Sequence, residues 1–371
     1  MPIYMDVHIV AGAKAKDVAE AHTKDLQIQD QHKCKCMTYW FDEVRESVFC
    51  LIQAPTKESV VELHNHSHGL IPHKVIEVNS SLVEAFLGRL FDPADATTNN
   101  EGLKVFTDPS YRILLVTKII DPVLLKFRLG EAAAAELLAR HHAIIRNNLA
   151  QYDGREVEQE GSGFIISFTS AIKAVNCALA IEKELSVADA DALGFRLSIN
   201  SGEPIEGGNS LFENTIQLAQ HICTVAKYFK VALSSSVKAL IAKDHQQGKQ
   251  QQFLTLTPQD EAFLKALYQT LEANWQNPHF DVEDHSQVMA ISKSQLYRKT
   301  IALTGLSPNQ LLKEYRLEKA KELMKKQFYN IAQITYDAGF TSPSYFTKCF
   351  KKKYGLLPMH YMELLKKAAV A

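Results

Sequence analysis

Seven of the fourteen histidines lie in the first 92 residues of this 371-residue chain, among carboxylates and cysteines that could complete a metal site. His64 and His68 are four residues apart, which places them one above the other on a helix face. Asp6 and His8 point from one face of a predicted strand, and Cys50 could add a thiolate. Imidazole, thiolate and carboxylate together favour Ni, Zn or Cu over Mg or Ca. We therefore name His8, Cys50, His64 and His68 as candidate metal ligands, with exposed polar residues near a helix end as the alternative interpretation.

The first 92 residues are predicted to form one small α+β domain. Ile3, Met5 and Val7 alternate with polar residues, which indicates a strand with one apolar face. The remaining elements are predicted as a helix at 15–29, strands at 36–41 and 47–52, a helix at 57–66 and a strand at 73–78. This β-α-β-β-α-β order is typical of a ferredoxin-like sandwich of about 80 residues.

Short motifs along this domain carry a family resemblance. They are Met5-Asp6-Val7-His8, Ala21-His22, Tyr39-Trp40-Phe41, Phe49-Cys50-Leu51, Ala54-Pro55 and the stretch 64–69. Together they resemble a family of small ferredoxin-like domains described as nickel-binding. The resemblance implies that residues 1–92 form a metal-binding domain, and it leaves the ligand set open.

Residues 93–110 are polar and aperiodic, so a linker is predicted there before a second α+β domain at 111–243. Strands are predicted at 112–119, 155–160, 163–168, 196–201 and 231–234, with helices between them. Four motifs follow this pattern: Gly154-Arg155-Glu156-Val157, Gly161-Ser162-Gly163-Phe164, Ile199-Asn200-Ser201-Gly202-Glu203 and Ala219-Gln220-His221-Ile222. They resemble the fold of class III adenylate/guanylate cyclases.

The catalytic groups that this resemblance implies are missing. Active members hold two metal ions with two aspartates, and the corresponding positions here are Lys118 and Ser162. The Asn and Arg that act on the transferring phosphate correspond to Gln217 and His221. A lysine places positive charge where Mg²⁺ should sit, and serine supplies no carboxylate charge. We therefore predict a non-enzymatic dimerisation or ligand-sensing module, with an active cyclase as the unfavoured alternative.

The C-terminal segment, 257–371, is predicted to be an all-α domain with two helix-turn-helix units, and a glutamine-rich linker at 244–256 precedes it. Ser292 and Gln295 form a capping box that begins the first recognition helix, and Gly305 ends it. Gly339 suits the turn of the second unit, whose recognition helix begins at Ser342. The predicted inward residues are Leu296 and Ile301 in the first recognition helix, and Tyr345, Phe346 and Phe350 in the second. A connecting helix of about 19 residues is about 28 Å long. This length approaches the roughly 34 Å between successive major grooves, so one chain could contact two adjacent grooves of double-stranded DNA.

Polar residues on the two recognition helices are the candidate DNA contacts. They are Lys293, Ser294, Gln295 and Arg298 in the first helix, and Ser342, Ser344, Thr347, Lys348 and Lys351 in the second, where 351–353 form a lysine run. Arg and Gln can make bidentate hydrogen bonds to bases, whereas Lys contacts phosphate. A solvated charged helix face is the alternative for any single residue.

Motifs in this domain also carry a family resemblance. They are the stretches 292–299 and 303–308, Arg316-Leu317-Glu318-Lys319-Ala320, and the stretches 339–346 and 350–355. They resemble the AraC/XylS family of transcription regulators, over about 100 residues. His285, Ser286 and Thr335 depart from the family pattern, and we expect them to loosen the packing of the supporting helices.

Charge is distributed unevenly along the chain. Residues 258–371 carry 16 Lys/Arg against 11 Asp/Glu, while the rest carries 25 against 31. A basic C-terminal part on an acidic body suits a DNA-binding domain joined to modules that do not bind DNA. The N-terminus lacks the blocks of a signal peptide, so we expect a cytoplasmic protein with no membrane contact and with its six cysteines reduced.

These patterns predict a multidomain fold, with two ferredoxin-like α+β domains followed by an all-α double helix-turn-helix domain. The predicted function is a sequence-specific, homodimeric transcription regulator whose N-terminal modules respond to a transition metal or a small ligand. The alternative is a metal-sequestering protein with an accessory DNA-binding tail.

Overall fold

A computed structural model of the chain describes residues 1–94, 96–100, 102–160, 163–226, 231–243, 253–326 and 330–370. Two sheets, each covered by helices, precede a helical C-terminal region. This arrangement confirms the predicted fold class. None of the helices in these described ranges combines the length and apolar character that a membrane crossing requires.

The N-terminal unit has the predicted element order. Its elements are β1 (Ile3–Ile9), α1 (Ala15–Ile28), a 3-10 helix (Gln29–His32), β2 (Lys35–Asp42), β3 (Ser47–Gln53), α2 (Lys57–Ser67), β4 (Lys74–Val78) and an additional helix, α3 (Ser80–Leu87). The strands form an antiparallel sheet in the order β2-β3-β1-β4. Val18 of α1 and Leu63 of α2 pack with Tyr39 and Phe41 on one face of this sheet, so both helices cover the same side.

The middle unit repeats this topology with insertions. Its elements are β5 (Thr97–Thr98), β6 (Lys104–Val105), β7 (Arg112–Lys118), α4 (Pro122–Leu129), α5 (Glu131–Gln151), β8 (Arg155–Glu160), β9 (Gly163–Phe168), α6 (Ala171–Glu184), α7 (Val187–Leu193), β10 (Arg196–Gly202), α8 (Glu213–Val225), β11 (Val231–Leu233), α9 (Ser235–Lys243) and β12 (Leu254–Thr255). The main sheet has the order β12-β11-β10-β7-β9-β8, in which β10-β7-β9-β8 corresponds to the four strands of the first sheet in reverse. Two short ladders fall in the predicted linkers. β5 pairs with β6, and β12 pairs with β11, while 244–252 lie outside the described residues.

The two sheets contribute apolar faces to one buried cluster, which also contains side chains of α3 and α8. Successive residues of a strand point to opposite faces. In β7, Leu115 therefore packs with the α5 and α6 side of its unit, whereas Leu114 belongs to the cluster that includes Trp40 and Leu51 of the first sheet. The face of the first sheet that its own helices leave open is thus buried within the chain.

The C-terminal unit, which we call the head, has seven helices within its described ranges, 257–326 and 330–370. They are α10 (Pro258–Asn274), α11 (Val282–Val288), α12 (Lys293–Thr304), α13 (Pro308–Lys325), α14 (Ile331–Asp337), α15 (Pro343–Tyr354) and α16 (Pro358–Val370). The predicted caps are present: the Ser292 hydroxyl accepts from the Gln295 N–H, and Gly305 ends α12 at φ 70°. Gly339 adopts φ 74°, and a Cβ there would lie 2.2 Å from the Trp275 carbonyl oxygen, so this turn requires glycine.

Two inward positions predicted for the head are wrong. Ile301 is 49% exposed, because the inward positions of α12 are taken by Leu296, Thr300 and Thr304. Tyr345 is 52% exposed, whereas Phe346 and Phe350 of the same helix are fully buried.

The head is docked on the middle unit at two places. Leu264 and Leu267 of α10 pack with Ile222 and Val225 of α8. At the second helix-turn-helix unit, Leu124 of α4 joins the head core, and the Tyr361 hydroxyl donates to Asp121 Oδ2 at 2.7 Å.

Candidate metal centre and nucleic-acid interface

A buried group of metal-ligating side chains lies where α2 crosses the first sheet. Asp6 of β1 and Cys50 of β3 are direct cross-strand partners, and His8 follows two residues after Asp6 on the same face. His64 of α2 lies above them, with its Nε2 2.9 Å from Asp6 Oδ2. One ligand atom from each of these four residues lies within 4.8 Å of the other three. Strand pairing and helix packing therefore converge two imidazoles, a thiol and a carboxylate.

A second group shares His64 with the first. Asp25 Oδ2 of α1 lies 3.2 Å from His64 Nδ1, and Asp25 Oδ1 lies 3.4 Å from His68 Nε2. The rings of His64 and His68 approach at 3.1 Å between Nδ1 and Nε2. His64 consequently has a carboxylate at each ring nitrogen and links the two groups.

The electrostatics of this cluster favour bound positive charge. Burial alone would lower the pKa of His64, but the charge of Asp6 and the hydrogen bond with Asp25 raise it to about 10. The neighbouring imidazoles, His64 above all, overcome burial and hold the pKa of Asp6 and of Asp25 well below its usual value. Burial raises the pKa of the Cys50 thiol. At neutral pH, His64 and the Cys50 thiol therefore carry protons, whereas Asp6 and Asp25 are ionised. Binding of a metal ion to His64 and Cys50 would release those protons.

The residues present fit a transition metal. His8 Nε2 is buried and lies 3.3 Å from Asp6 Oδ1 without the geometry of a hydrogen bond, so a ligating nitrogen is left without a hydrogen-bond partner among the described residues. A cavity of about 70 Å³ reaches the cluster and is lined by His8, Asp25, Cys50 and His68 among others. Nitrogen and sulfur donors with carboxylates match the preferences of Ni, Zn and Cu.

Three of the four predicted metal ligands, His8, Cys50 and His64, lie in one group with Asp6, whereas His68 lies in the second group with His64 and Asp25. Asp25 is not among the residues predicted from the sequence. A signal for Asp25 exists, because it follows Val18 and His22 at seven and three residues and so falls on the buried face of α1. A carboxylate on a buried face requires a partner.

The cyclase-like positions of the middle unit carry no catalytic pair among the residues that the structure describes. Lys118 is exposed at the end of β7, and Gln217 donates to Glu213 at 3.2 Å. His221 stacks on Tyr268 of the head at 4.1 Å between ring centroids, and burial, with Lys118, lowers its pKa to about 4. Ser162 lies outside the described residues.

The first recognition helix, α12, presents its predicted contacts to solvent. Lys293, Ser294, Gln295 and Arg298 are all exposed. Lys293 Nζ lies 2.8 Å from Glu283, and Gln295 Oε1 accepts from the Ser292 N–H as part of the cap. Arg298 makes no hydrogen bond or ion pair with the described residues, so its guanidinium is free to bind a base or phosphate.

The second recognition helix, α15, has a similar outward face. Ser344, Lys348 and Lys351 are exposed, and Thr347 is half-buried. The Ser342 hydroxyl accepts from the Tyr345 N–H at 3.5 Å, so Ser342 acts in the helix cap.

The assignment of Lys353 to a phosphate-facing run is wrong. Its ammonium lies 3.3 Å from Glu314 and 3.2 Å from Glu318, so it ties α15 to α13. Lys351 and Lys352 remain exposed.

The residues that depart from the family pattern are accommodated in the supporting helices. The Ser286 hydroxyl donates to the Glu283 carbonyl at 2.8 Å, and the Thr335 hydroxyl donates to the Ile331 carbonyl at 2.7 Å. His285 is buried, and burial lowers its pKa to about 4, which keeps the ring neutral. At Ser286 and Thr335, the structure therefore does not show the expected loosening of the supporting helices.

Together these features define a double helix-turn-helix domain on two ferredoxin-like units, one of which carries a metal-ligand cluster. Residues 286–363 match the family model described as a helix-turn-helix domain, and residues 4–78 match the model described as nickel responsive protein SCO4226-like. These matches confirm an AraC-type domain at the C-terminus and a nickel-responsive-like domain at the N-terminus.

Each of the curated relatives matches only part of the chain. Histidine kinase P4 of Formosa agariphila is 40% identical over 108 residues, which are 29% of this chain and 8% of that protein. The HTH-type transcriptional activator RhaS of Mannheimia succiniciproducens is 34% identical over 88 residues, 24% of this chain and 32% of that protein. Putative adenylate cyclase 3 of Rhizobium meliloti is 27% identical over 106 residues, 27% of this chain and 18% of that protein. The chain thus spans a third or less of each relative, and the cyclase resemblance is confirmed.

Proposed function

We propose that this protein is a sequence-specific DNA-binding transcription regulator whose DNA contacts come from α12 and α15. The observation that supports this most strongly is the pair of capped helices with exposed polar faces inside the AraC-type domain. The connecting helix α13 has 18 residues and so spans about 27 Å. This length suits contacts in two adjacent major grooves of double-stranded DNA.

The proposed contacts are residues of α12 and α15. Arg298 would bind base edges, while Lys348 and Lys351 would contact phosphates. Ser294, Ser344 and Thr347 would add shorter hydrogen bonds. Lys293, Gln295 and Ser342 already have partners within the chain, so their use on DNA requires an exchange of those contacts.

We propose that the N-terminal cluster senses a divalent transition metal. His8, Cys50, His64 and His68, with Asp6 and Asp25, would hold the ion, which would supply positive charge in place of protons. The side chains come from β1, β3, α1 and α2, so an ion bound by them would fix the relative positions of these four elements. The opposite face of the same sheet packs on the middle unit, which holds the head.

The middle unit is proposed to act without catalysis. Lys118, Gln217 and His221 supply neither a carboxylate for a metal nor a positively charged group at the corresponding phosphate positions. Formation of cyclic nucleotide from ATP or GTP by the purified protein, with Mg²⁺ or Mn²⁺, would overturn this.

A homodimer is proposed as the DNA-binding form, and the cytoplasm as its location because that compartment holds the DNA. The open face of the first sheet is buried within the chain, so the subunits must meet through another surface. Sedimentation of the purified protein, with and without operator DNA, measures this state.

The test is a titration of DNA fragments from beside the protein's own gene, followed by fluorescence anisotropy, with and without Ni²⁺. A regulator should bind particular fragments, and Ni²⁺ should change that affinity. Arg298→Ala should weaken specific binding by about 1–3 kcal/mol, while Lys238→Ala, an exposed lysine of α9, is the matched control.

Two outcomes decide between regulator and metal store. Equal affinity for all fragments, with tight Ni²⁺ binding, would favour the metal-sequestering alternative. Loss of specific binding in Arg298→Ala but not in Lys238→Ala supports the regulator.

A further inference from the structure

A large cleft lies between the middle unit and the head, beside the contacts that dock them. Its volume is about 840 Å³, within the range of about 300–1,000 Å³ that small-molecule sites occupy. The middle unit contributes the end of β7, the helix α4 and part of α8, and the head contributes α10, α13 and the end of α15. A molecule in this cleft would therefore contact both units.

The acidic side chains of the cleft are neutralised within the chain. All four of them pair with Lys319, Lys321 or Lys353, at N–O distances of 2.8–3.6 Å. These three lysines are held by carboxylates and are not available to a ligand without the loss of an ion pair.

Four other cations line the same cleft and take no part in these ion pairs. Lys118, Arg128 and Arg196 belong to the middle unit, and Lys325 belongs to the end of α13 in the head. None of them makes an ion pair or hydrogen bond with any residue in the described part of the chain. A surplus of positive charge in a concave site raises the local concentration of anions.

We propose that this cleft binds a small anion that carries two or more phosphate groups. Two of the free cations are arginines, whose planar guanidinium groups bind phosphate oxygens in a bidentate manner. A multiply charged ligand is required because the free cations come from both walls, and a single charge would satisfy only one wall. No free carboxylate is present among the described lining residues to hold a metal ion, so the phosphates would be neutralised by the cations themselves.

Such a ligand would fix the docked position of the head, because it joins Arg196 of β10 to Lys325 of α13. This proposal does not depend on DNA binding. The two can fail separately, since the residues of the cleft are different from those of the reading faces of α12 and α15.

The test is calorimetric titration of the full chain, freed of metal with EDTA, with inorganic pyrophosphate at physiological salt. We expect saturable binding with one site per chain. Arg196→Ala and Lys325→Ala should each weaken it by about tenfold, which corresponds to the loss of one hydrogen bond to a charged group. Lys238→Ala and Lys351→Ala are the controls and should bind as the unaltered protein does. Lys351→Ala removes a contact that is proposed to bind DNA phosphate, so it tests whether pyrophosphate binds the DNA-binding face instead of the cleft.

Absence of saturable pyrophosphate binding would overturn the proposal. It would also be overturned if Lys351→Ala weakened binding while both cleft variants did not, because the phosphates would then bind the DNA-reading face. Citrate is a separate arm: equal affinity with the same loss in the cleft variants would contradict the assignment to phosphate. Thermal unfolding of each variant shows that it is folded, and Arg196→Gln replaces Arg196→Ala if the latter is not.

Discussion

The buried hydrogen bond between Tyr361 and Asp121 is expected to hold the second helix-turn-helix unit on the middle unit. Tyr361 is fully buried in the head, and its hydroxyl donates to Asp121 Oδ2 at 2.7 Å. Asp121 is also buried, and its other oxygen accepts from the Val123 N–H at 2.9 Å as the cap of α4. The carboxylate thus links the start of α4 to α16 across 240 residues of sequence.

Tyr361→Phe removes only the hydroxyl. The substitution keeps the aromatic ring, whose centroid lies 5.7 Å from that of the Phe350 ring. A hydrogen bond to a charged acceptor contributes about 1.5–3 kcal/mol, and its loss leaves a buried carboxylate oxygen without that donor. We therefore expect the free energy of unfolding of the head to fall by about this amount. Asp121→Asn should cost at least as much, because it weakens the same bond from the other side and also removes the ion pair with Lys321 at 3.6 Å.

The assay is equilibrium unfolding in urea as a double-mutant cycle. The chain has two tryptophans, Trp40 in the first sheet and Trp275 beside the cluster that contains Tyr361. All four proteins of the cycle therefore carry Trp40→Phe, so that fluorescence follows Trp275 alone. A coupling energy of about 1.5–3 kcal/mol between the two substitutions is expected. A coupling below about 0.5 kcal/mol would refute the reasoning, since residues that do not interact have additive effects.

Three further predictions concern the metal, pH and salt. Calorimetry of Ni²⁺ binding in two buffers of different ionisation enthalpy should show proton release. Ni²⁺ binding should be lost in His64→Ala and kept in His66→Ala, which changes an exposed position of the same helix. Equal Ni²⁺ binding by both variants would contradict the proposed site. Burial lowers the pKa of His141 and His285 to about 4, below the value of about 6.5 in the unfolded chain, so the unfolded state takes up protons first and stability falls as pH drops below 6.5. At pH 5 each buried histidine should lower the free energy of unfolding by about 2 kcal/mol relative to neutral pH. His285→Leu should remove the contribution of His285 to this pH dependence, measured by urea unfolding of the head. If the pH dependence is unchanged in His285→Leu, the ring of His285 is not buried in its neutral form. Lys348→Ala should reduce the slope of log affinity for DNA against log salt by about 1, and an unchanged slope would mean that Lys348 contacts no phosphate.

Local signals in the sequence were sufficient for the caps of the recognition helices and for the order of most strands along the two α+β units. Ser292 and Gly305 bound α12 as predicted, because capping and left-handed backbone are properties of a few adjacent residues. Side-chain direction was less predictable. Ile301 was expected inside because it is apolar, yet Thr300 and Thr304 occupy the inward side at the helical repeat.

Long-range pairing could not be predicted from the sequence. Lys353 sits in a run of lysines that suggests a phosphate contact, and only the approach of α13 shows that two carboxylates bind it. Asp25 of α1 lies in the metal-ligand cluster because α1 packs against α2. This contact between two helices is a feature of tertiary structure. The docking of the head through Asp121 and Tyr361 likewise depends on residues far apart in sequence.

Footprinting of the full chain on an operator fragment tests the central claim most directly. If α12 and α15 occupy neighbouring major grooves, each bound chain should protect two segments on one face of the duplex, with centres about 10 base pairs apart. Arg298→Ala should weaken the protection of the segment bound by α12 more than that of the segment bound by α15. A single protected segment, or no protection at any salt concentration, would contradict the account.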